Sequence, residues 1–401
     1  HPVNGAGGAF NTSDLDPDIS YFTREWGDNV DDWNSHNSPS RVNRAWGEVP
    51  MLIQAHGYAK SDYRYTCYDA LYRNSRQHMG GCLWHSFDHQ RGYHPDPFYG
   101  GIMDAFRQPK LSYYMFCSQR PAEKNNKLIA ENGPMVFIAN AMTPFSPKDV
   151  TVYSNCEEVR LTCYKGGKQY TYKKAVKGEG MPSPVITFNN VRDVMHAKAL
   201  DDIALARANN HVESYLLAEG FVDGKLVATH NVVPTRRPSK VILWVDNEQT
   251  ETTADGSDLI TVVAAIADDN GNIKRLNNYH IQFEIEGPGE LVANNETFTN
   301  PRAIQWGTAP VLVRTKTQAG KIKVKASVVY NGIHTPAPAE IIIQTVKATH
   351  PLIADSNELK LLQNQSKNGK RFMPLNKISQ EAQQQSRLKL KEVEKQQSDF
   401  E

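Results

Sequence analysis

The sequence lacks a dominant charge, a membrane-length apolar run and a cysteine framework, and each absence narrows the function. Its 45 Lys and Arg balance 44 Asp and Glu, so bulk electrostatics suggest neither a polyanionic partner such as nucleic acid nor an acidic tail. No stretch approaches the roughly 18–20 apolar residues that cross a bilayer, so no membrane association is expected. The five cysteines, Cys67, Cys82, Cys117, Cys156 and Cys163, include no C-x-x-C pair. An odd number in a chain of this size describes no disulfide framework and leaves the redox compartment open. There is no G-x-S-x-G nucleophile elbow, and Gly5-Ala6-Gly7-Gly8 is not followed by the strand–helix pattern of a phosphate loop. His78, His85, His89 and His94 cluster in sequence, but their intervals fit neither H-E-x-x-H nor a zinc ribbon. No metal and no cofactor are expected; hydrogen-bonded or sugar-contacting histidines are the better reading.

What is present is a chain of 401 residues with 39% hydrophobic and 22% charged residues, enough for about two to four domains with cores of their own. It opens His1-Pro2-Val3-Asn4-Gly5, without an initiating Met or a signal-like apolar run, and is expected to be a piece of a longer chain. Residues 1 to 120 are dense in Trp, Tyr, His and Gly, with strand candidates at Ile19 to Phe22 and Gly81 to Phe87. Between them Ser61 reads as an N-cap, Tyr65, Tyr68, Leu71 and Tyr72 follow at helical spacing, and Gly80-Gly81 stops the helix. Strand, helix and strand in that order suggest βα units.

From about Pro121 the texture changes to short alternating strands bounded by Pro, Gly, Asn or Asp. Met135 to Ala139, Val150 to Tyr153, Val159 to Cys163 and Tyr215 to Phe221 are the clearest, and Asp223-Gly224 sits where a tight hairpin belongs. This spacing predicts an immunoglobulin-like sandwich over 121–236. Pro234 to Pro238 reads as a linker, and the pattern restarts at Val241 to Val245, Leu259 to Ala267, His280 to Ile285 and Lys321 to Val329. Its turn signals are Asp269-Asn270-Gly271-Asn272 and Gly287-Pro288-Gly289, and a second sandwich is predicted over 237–347. Residues 348–401 are rich in Gln, Lys, Ser and Glu, a polar tail that forms at most one helix from Ile378 to Val393.

The segment Phe22-Thr23-Arg24-Glu25-Trp26-Gly27-Asp28 places a carboxylate beyond a short apolar strand, beside an aromatic residue and a Gly. In a (β/α)8 barrel the carboxyl ends of strands carry the reacting groups. On residues alone, Glu25 is either such a group or an acidic cap paired with Arg24. Trp84 is either a flat face for a pyranose or a core residue. Trp26, Trp33 and Trp46 have the same two readings, sugar contact or packing, and lone loop aromatics more often pack. Asp28 either orients a sugar hydroxyl or holds a turn.

Taken in order, three motifs resemble the end of the catalytic barrel of family 2 glycoside hydrolases. Ser20 to Trp26 is similar to that family's strand 7. Gly80-Gly81-Cys82-Leu83-Trp84-His85-Ser86-Phe87-Asp88 resembles the last barrel strand, and Gly100-Gly101-Ile102-Met103-Asp104-Ala105-Phe106-Arg107-Gln108-Pro109-Lys110 the run before the closing helix. Val150 to Leu161 resembles the sandwich that follows the barrel. Thr253 to Leu259 with Ile285 to Leu291 resembles a further C-terminal domain.

The resemblance, which spans about residues 15–345, implies a multidomain fold: the C-terminal part of a TIM barrel (1–120), two all-β immunoglobulin-like sandwiches and the tail. It implies a bacterial retaining β-galactosidase-like enzyme with Glu25 as nucleophile and Trp84, Trp26, Asp28 and His85 as substrate contacts. The acid/base Glu and six barrel strands would come from the N-terminal half of the parent enzyme, so this chain alone is expected to show no turnover. A carbohydrate is then the partner, the sandwiches brace the barrel or mediate homo-oligomer contacts, and residence is periplasmic or extracellular. The family pattern carries small or Cys-like and Tyr neighbours around the nucleophile and Asp after the Trp; here Arg24, Trp26 and His85 stand there. β-Glucuronidase, β-mannosidase and a non-catalytic carbohydrate-binding protein are the competing readings.

Overall fold

The computed structural model describes residues 18–27, 38–60, 67–73, 78–90, 97–128, 131–163, 169–174, 180–191, 215–246, 251–293, 299–330 and 332–349. The first segment holds β1 (Tyr21–Trp26), α1 (Glu48–Ala59), α2 (Tyr68–Arg73), β2 (His78–Leu83) and α3 (Leu111–Cys117). Strands β1 and β2 pair in parallel, Tyr21 opposite His78, Thr23 opposite Gly81 and Trp26 opposite Leu83. Parallel neighbours need a crossover, and α1 and α2 lie in the connection. β1 runs through Glu25 instead of ending before it, and β2 ends at Leu83, earlier than Phe87.

α1 was not legible as a helix because its segment contains Pro50 and Gly57. Pro50 is the third helical residue, where a missing N–H costs nothing. Met51, Ala55, Tyr58 and Ala59 share its buried face. Of the helix anticipated from Ser61, Tyr68–Arg73 is present as α2, whereas Gly80-Gly81, expected to stop it, lie within β2; residues 61–66 lie outside the described residues, as does the tail from 350 onward.

The next module contains β3 (Val136–Ala139), β4 (Val150–Ser154), β5 (Glu158–Cys163), β6 (Gln169–Lys173), β7 (Ile186–Phe188), β8 (Leu216–Val222) and β9 (Lys225–Val232). Two sheets, ordered β3-β4-β7 and β6-β5-β8-β9, enclose a core of Val136, Ile138, Val150, Val152, Leu161 and Leu216 among others. Asp223 and Gly224 join β8 to β9 with φ of 49° and 71°, the left-handed pair that a tight two-residue hairpin requires.

The last module contains β10 (Lys240–Val245), β11 (Thr253–Ala254), β12 (Leu259–Ala267), β13 (His280–Glu286), β14 (Gly289–Leu291), β15 (Arg302–Ala303), β16 (Thr308–Thr315), β17 (Lys321–Val328), β18 (Ala339–Gln344) and β19 (Val346–Lys347). Its sheets, β10-β12-β16-β14 and β15-β13-β17-β18, pack face to face around Ile260, Val262, Ile281, Phe283, Val311 and Val324. The Pro234 to Pro238 connection is tied down: Thr235 donates to the Ile273 carbonyl at 3.0 Å and the Arg236 N–H to the Asp268 carboxylate at 3.0 Å.

The modules are joined by one further apolar cluster. Val42, Met51, Tyr58, Leu111 and Met115 of the first segment pack with Ala139 and Tyr153 of the first sandwich, and Trp306 of the second lies against them. Residues of β3 alternate: Val136 and Ile138 face the sandwich core, whereas Phe137 and Ala139 face α1 and α3. Phe137 stacks on Tyr114 with ring centres 3.7 Å apart.

Candidate active site

Glu25 is the last residue but one of β1, and Trp84 directly follows β2. Because the strands are parallel, both sit at the same carboxyl end, where the Trp84 N–H donates to the Trp26 carbonyl at 2.8 Å. The side chain of Glu25 is half-buried. Glycines permit this close pairing. A Cβ at Gly81 would lie 2.8 Å from the Thr23 Cβ and 3.0 Å from the Trp26 Cδ1. Gly27, at φ 97°, turns the chain out of β1 where a Cβ would lie 2.7 Å from the Leu83 Cδ1.

The pairing of β1 with β2 is irregular between Thr23 and Trp26, and there Thr23 and Trp26 are both buried while Glu25 is half-buried. Trp26 is 4% exposed and packs against Tyr68 and Phe116 on the helical side, each 5.8 Å away between ring centres. This corrects the expectation from the sequence that Trp26 contacts substrate: it is a core residue. His85 is corrected too. It is 9% exposed, wedged among Trp84 at 4.1 Å, His89 at 4.3 Å and Phe98 at 4.5 Å. Its ring supports the half-buried Trp84 indole instead of presenting a surface to a ligand. Asp28 lies outside the described residues. Trp46 is exposed with one edge against Tyr99.

Beneath Trp84 the chain is anchored by an ion pair that sequence reasoning missed. Lys110 Nζ donates to the Asp88 carboxylate at 2.7 Å and to the Tyr99 carbonyl at 2.9 Å; the same carboxylate accepts the Gly101 N–H at 2.9 Å. Both side chains are buried. Burial pushes the Asp88 carboxyl up to about 6, with Lys110 and the Gly101 N–H acting the other way, and burial lowers the Lys110 ammonium. Gly101 is required there, since a Cβ would fall 2.3 Å from the Asp88 amide nitrogen. The two partners are separated by 22 residues, and only folding shows that they meet.

Asp104, read from sequence as part of the closing run, holds its own turn by accepting the Phe106 and Gln108 N–H groups at 2.8 and 2.9 Å. It also pairs with Arg44 at 3.2 Å. Arg44 continues to the second sandwich, donating to the Gln305 carbonyl at 2.8 Å and to the Thr308 hydroxyl. Arg302 lies over the Phe106 ring at 4.3 Å. No group of three or more His, Cys, Asp or Glu among the described residues is placed to hold a metal ion.

A carboxylate and an aromatic plane thus stand at one end of the parallel pair. A family model, glycoside hydrolase family 2 C-terminal domain 5, matches residues 243–330, the span of the second sandwich from β10 to β17. A β-galactosidase of Thermoanaerobacter pseudethanolicus is 31% identical over 255 residues, 62% of this chain and 31% of that protein. The chain is a relative of the family 2 glycoside hydrolases. A second β-galactosidase, from Thermoanaerobacterium thermosulfurigenes, is 28% identical over 202 residues, 49% of this chain and 26% of that protein. The chain thus spans under a third of the length of either relative. The fold is similar to that of a family 2 β-glucuronidase, with TM-score 0.52 and 20% identity over 82% of this chain and 31% of that one. It is likewise similar to a β-glycosidase from Bacteroides vulgatus, with TM-score 0.52 and 17% identity over 81% of this chain and 42% of that one. The resemblance read from Thr253 to Leu259 and Ile285 to Leu291 falls within the matched family domain.

Proposed function

We propose that this chain is the C-terminal portion of a retaining β-galactosidase-like enzyme in which Glu25 is the nucleophile and Trp84 the platform for the sugar. The observation that carries this reading is the meeting of Glu25 and Trp84 at the carboxyl end of the parallel pair. β1 and β2 are read as strands 7 and 8 of a (β/α)8 barrel. The relationship to family 2 and the two β-galactosidase relatives support the substrate class.

Retaining hydrolysis uses two carboxyl groups roughly 5–5.5 Å apart, one attacking the anomeric carbon and the other protonating the leaving oxygen, then activating water. Glu25 would form the glycosyl ester, and its partner Glu would come from the preceding part of the parent protein. The surface of the parallel pair fits an incomplete barrel. Phe22 is 56% and Met79 72% exposed, although parallel strands are ordinarily covered on both faces. The chain alone is therefore proposed to be inactive, and periplasmic or extracellular residence belongs to the same proposal by resemblance.

The test is a panel of nitrophenyl β-glycosides assayed with the parent-length protein and its Glu25→Ala variant. Cleavage of the β-galactoside, lost by about 10³-fold or more in the variant and partly restored by azide, is the expected result. Preference for a β-glucuronide or β-mannoside would reassign the sugar. Undiminished activity of the variant would overturn the nucleophile. Silence of the wild type on every sugar would favour a non-catalytic carbohydrate-binding role.

A further inference from the structure

The segment bearing Glu25 and the two sandwiches meet around a cavity of about 310 Å³. That volume lies within the range of small-molecule sites, which occur preferentially at domain interfaces and carry few, convergent polar groups. Its lining includes Glu48 from the start of α1, Phe137 and His230 from the first sandwich, and Arg275 and Trp306 from the second. It lies away from the β1–β2 carboxyl end, and no residue read above as part of the active site lines it.

Two of these side chains hold donors that have no acceptor among the described residues. Arg275 gives one N–H to the Trp306 carbonyl at 3.0 Å. A guanidinium has five N–H donors, and none of the other four has an acceptor among the described residues. Arg275 is half-buried, and its surroundings draw its pKa down to about 10, chiefly by desolvation. The Nδ1 of His230 accepts the Ile138 N–H at 3.0 Å, so the neutral ring carries its proton on Nε2, and burial lowers its pKa. That Nε2–H also has no acceptor among the described residues. Both residues are half-buried and line the cavity, so these donors are open to water or to a ligand rich in acceptors.

Charge distinguishes between ligand classes. Glu48 lines the same cavity and is 5% exposed. Its carboxylate accepts the Ala141 N–H at 2.8 Å and the Ser146 hydroxyl, and its charge opposes that of Arg275. The other nearby cation, Arg44, is neutralised by Asp104. A cavity with balanced charge, open N–H donors and the indole of Trp306 suits a ring that has hydroxyls at its rim and an apolar C–H face.

We propose that this junction is a second, non-catalytic sugar site, which holds one neutral hexopyranose between Trp306, Arg275 and His230. A sugar bound there contacts all three modules and ties them together. The inference is independent of the role of Glu25.

The test uses the 401-residue chain with galactose, glucose, mannose and glucuronate, read by ligand-observed NMR and by hydrogen–deuterium exchange. A neutral hexose is expected to bind saturably in the millimolar range, roughly, and to slow exchange in 137–141, 230–235 and 271–275. Arg275→Lys keeps the charge but loses the fork, and weakens binding about tenfold; Trp306→Phe, with a smaller face, also weakens it. Absence of saturable binding, protection confined to other segments, preference for glucuronate, or indifference to both junction variants would each overturn the proposal. Should a variant fail to fold, the exchange map of the wild-type chain decides alone.

Discussion

The second sandwich and the segment that carries Glu25 are built on different terms. Every residue of the sandwich core, from Val241 to Ile343, comes from that module itself, all but Ile304 from its strands. The cluster behind β1 and β2 gathers Met51, Tyr58, Leu111 and Met115 with Ala139 and Tyr153 from the first sandwich and Trp306 from the second. The sandwich satisfies itself with alternating strands and short turns. The first segment has two strands, exposed apolar side chains at Phe22 and Met79, and a buried ion pair. A module whose core is local is readable from its own sequence, whereas one that borrows its core is read from motifs only.

The comparison can be broken first at the cores. Phe283→Ala is expected to cost about 3–5 kcal/mol, the range for emptying an aromatic site in a packed core. Asp88→Ala is expected to cost a similar amount, about 3–5 kcal/mol, because Lys110 is left charged and buried. The two differ in remedy. Asp88→Leu combined with Lys110→Met should recover much of the second loss, the remainder being the Gly101 N–H left unpaired; the Tyr99 carbonyl keeps the Val42 N–H at 3.0 Å. Denaturant unfolding of the single and double variants reads both, and failure of the double variant to recover anything would show that the pair is more than a replaceable contact.

Gly101→Ala comes next. A Cβ there meets backbone, not a flexible side chain, and overpacking of this kind costs about 1–3 kcal/mol; a thermal melt of the variant unchanged from wild type would refute the close approach. A smaller effect separates the first sandwich by pH. Burial depresses the His230 pKa below its ordinary value near 6.5, so the unfolded chain binds the proton more readily. Stability is full above about pH 6.5 and falls as pH drops below it, by at most about 1.4 kcal/mol per pH unit for one group. His230→Gln should flatten that part of the stability–pH curve. The smallest effect belongs to the second sandwich surface, where Arg314 and Glu290 pair while half-exposed; Glu290→Gln should change stability by only a few tenths of a kcal/mol, roughly.

Much of the architecture was legible because strands alternate and turns have chemical signatures. Leu259 to Ala267 was read with the bounds of β12 itself, and Asp223-Gly224 was placed correctly as a hairpin. α1 was missed because a first-turn Pro and an internal Gly obscure its period. Strands β3 and β4 were found, but not that they are buried on both faces, since the layer covering their second face comes from α1 and α3.

The site divides along the same line. Sequence singled out Glu25 and Trp84 through the motifs around them, and backbone chemistry explains the glycines beside them. Whether the neighbouring aromatics face a ligand was decided by tertiary structure. Trp26 packs on Tyr68 and Phe116 beyond an irregularity in β1, and His89 and Phe98 close around His85. The Asp88–Lys110 pair, the Arg44 bridge to Gln305 and Thr308, and the junction cavity have no sequence signature at all. Local propensity and periodicity act over a few residues and so determine elements. Burial and unpaired donors depend on what lies across the fold, and that is set only when distant segments pack.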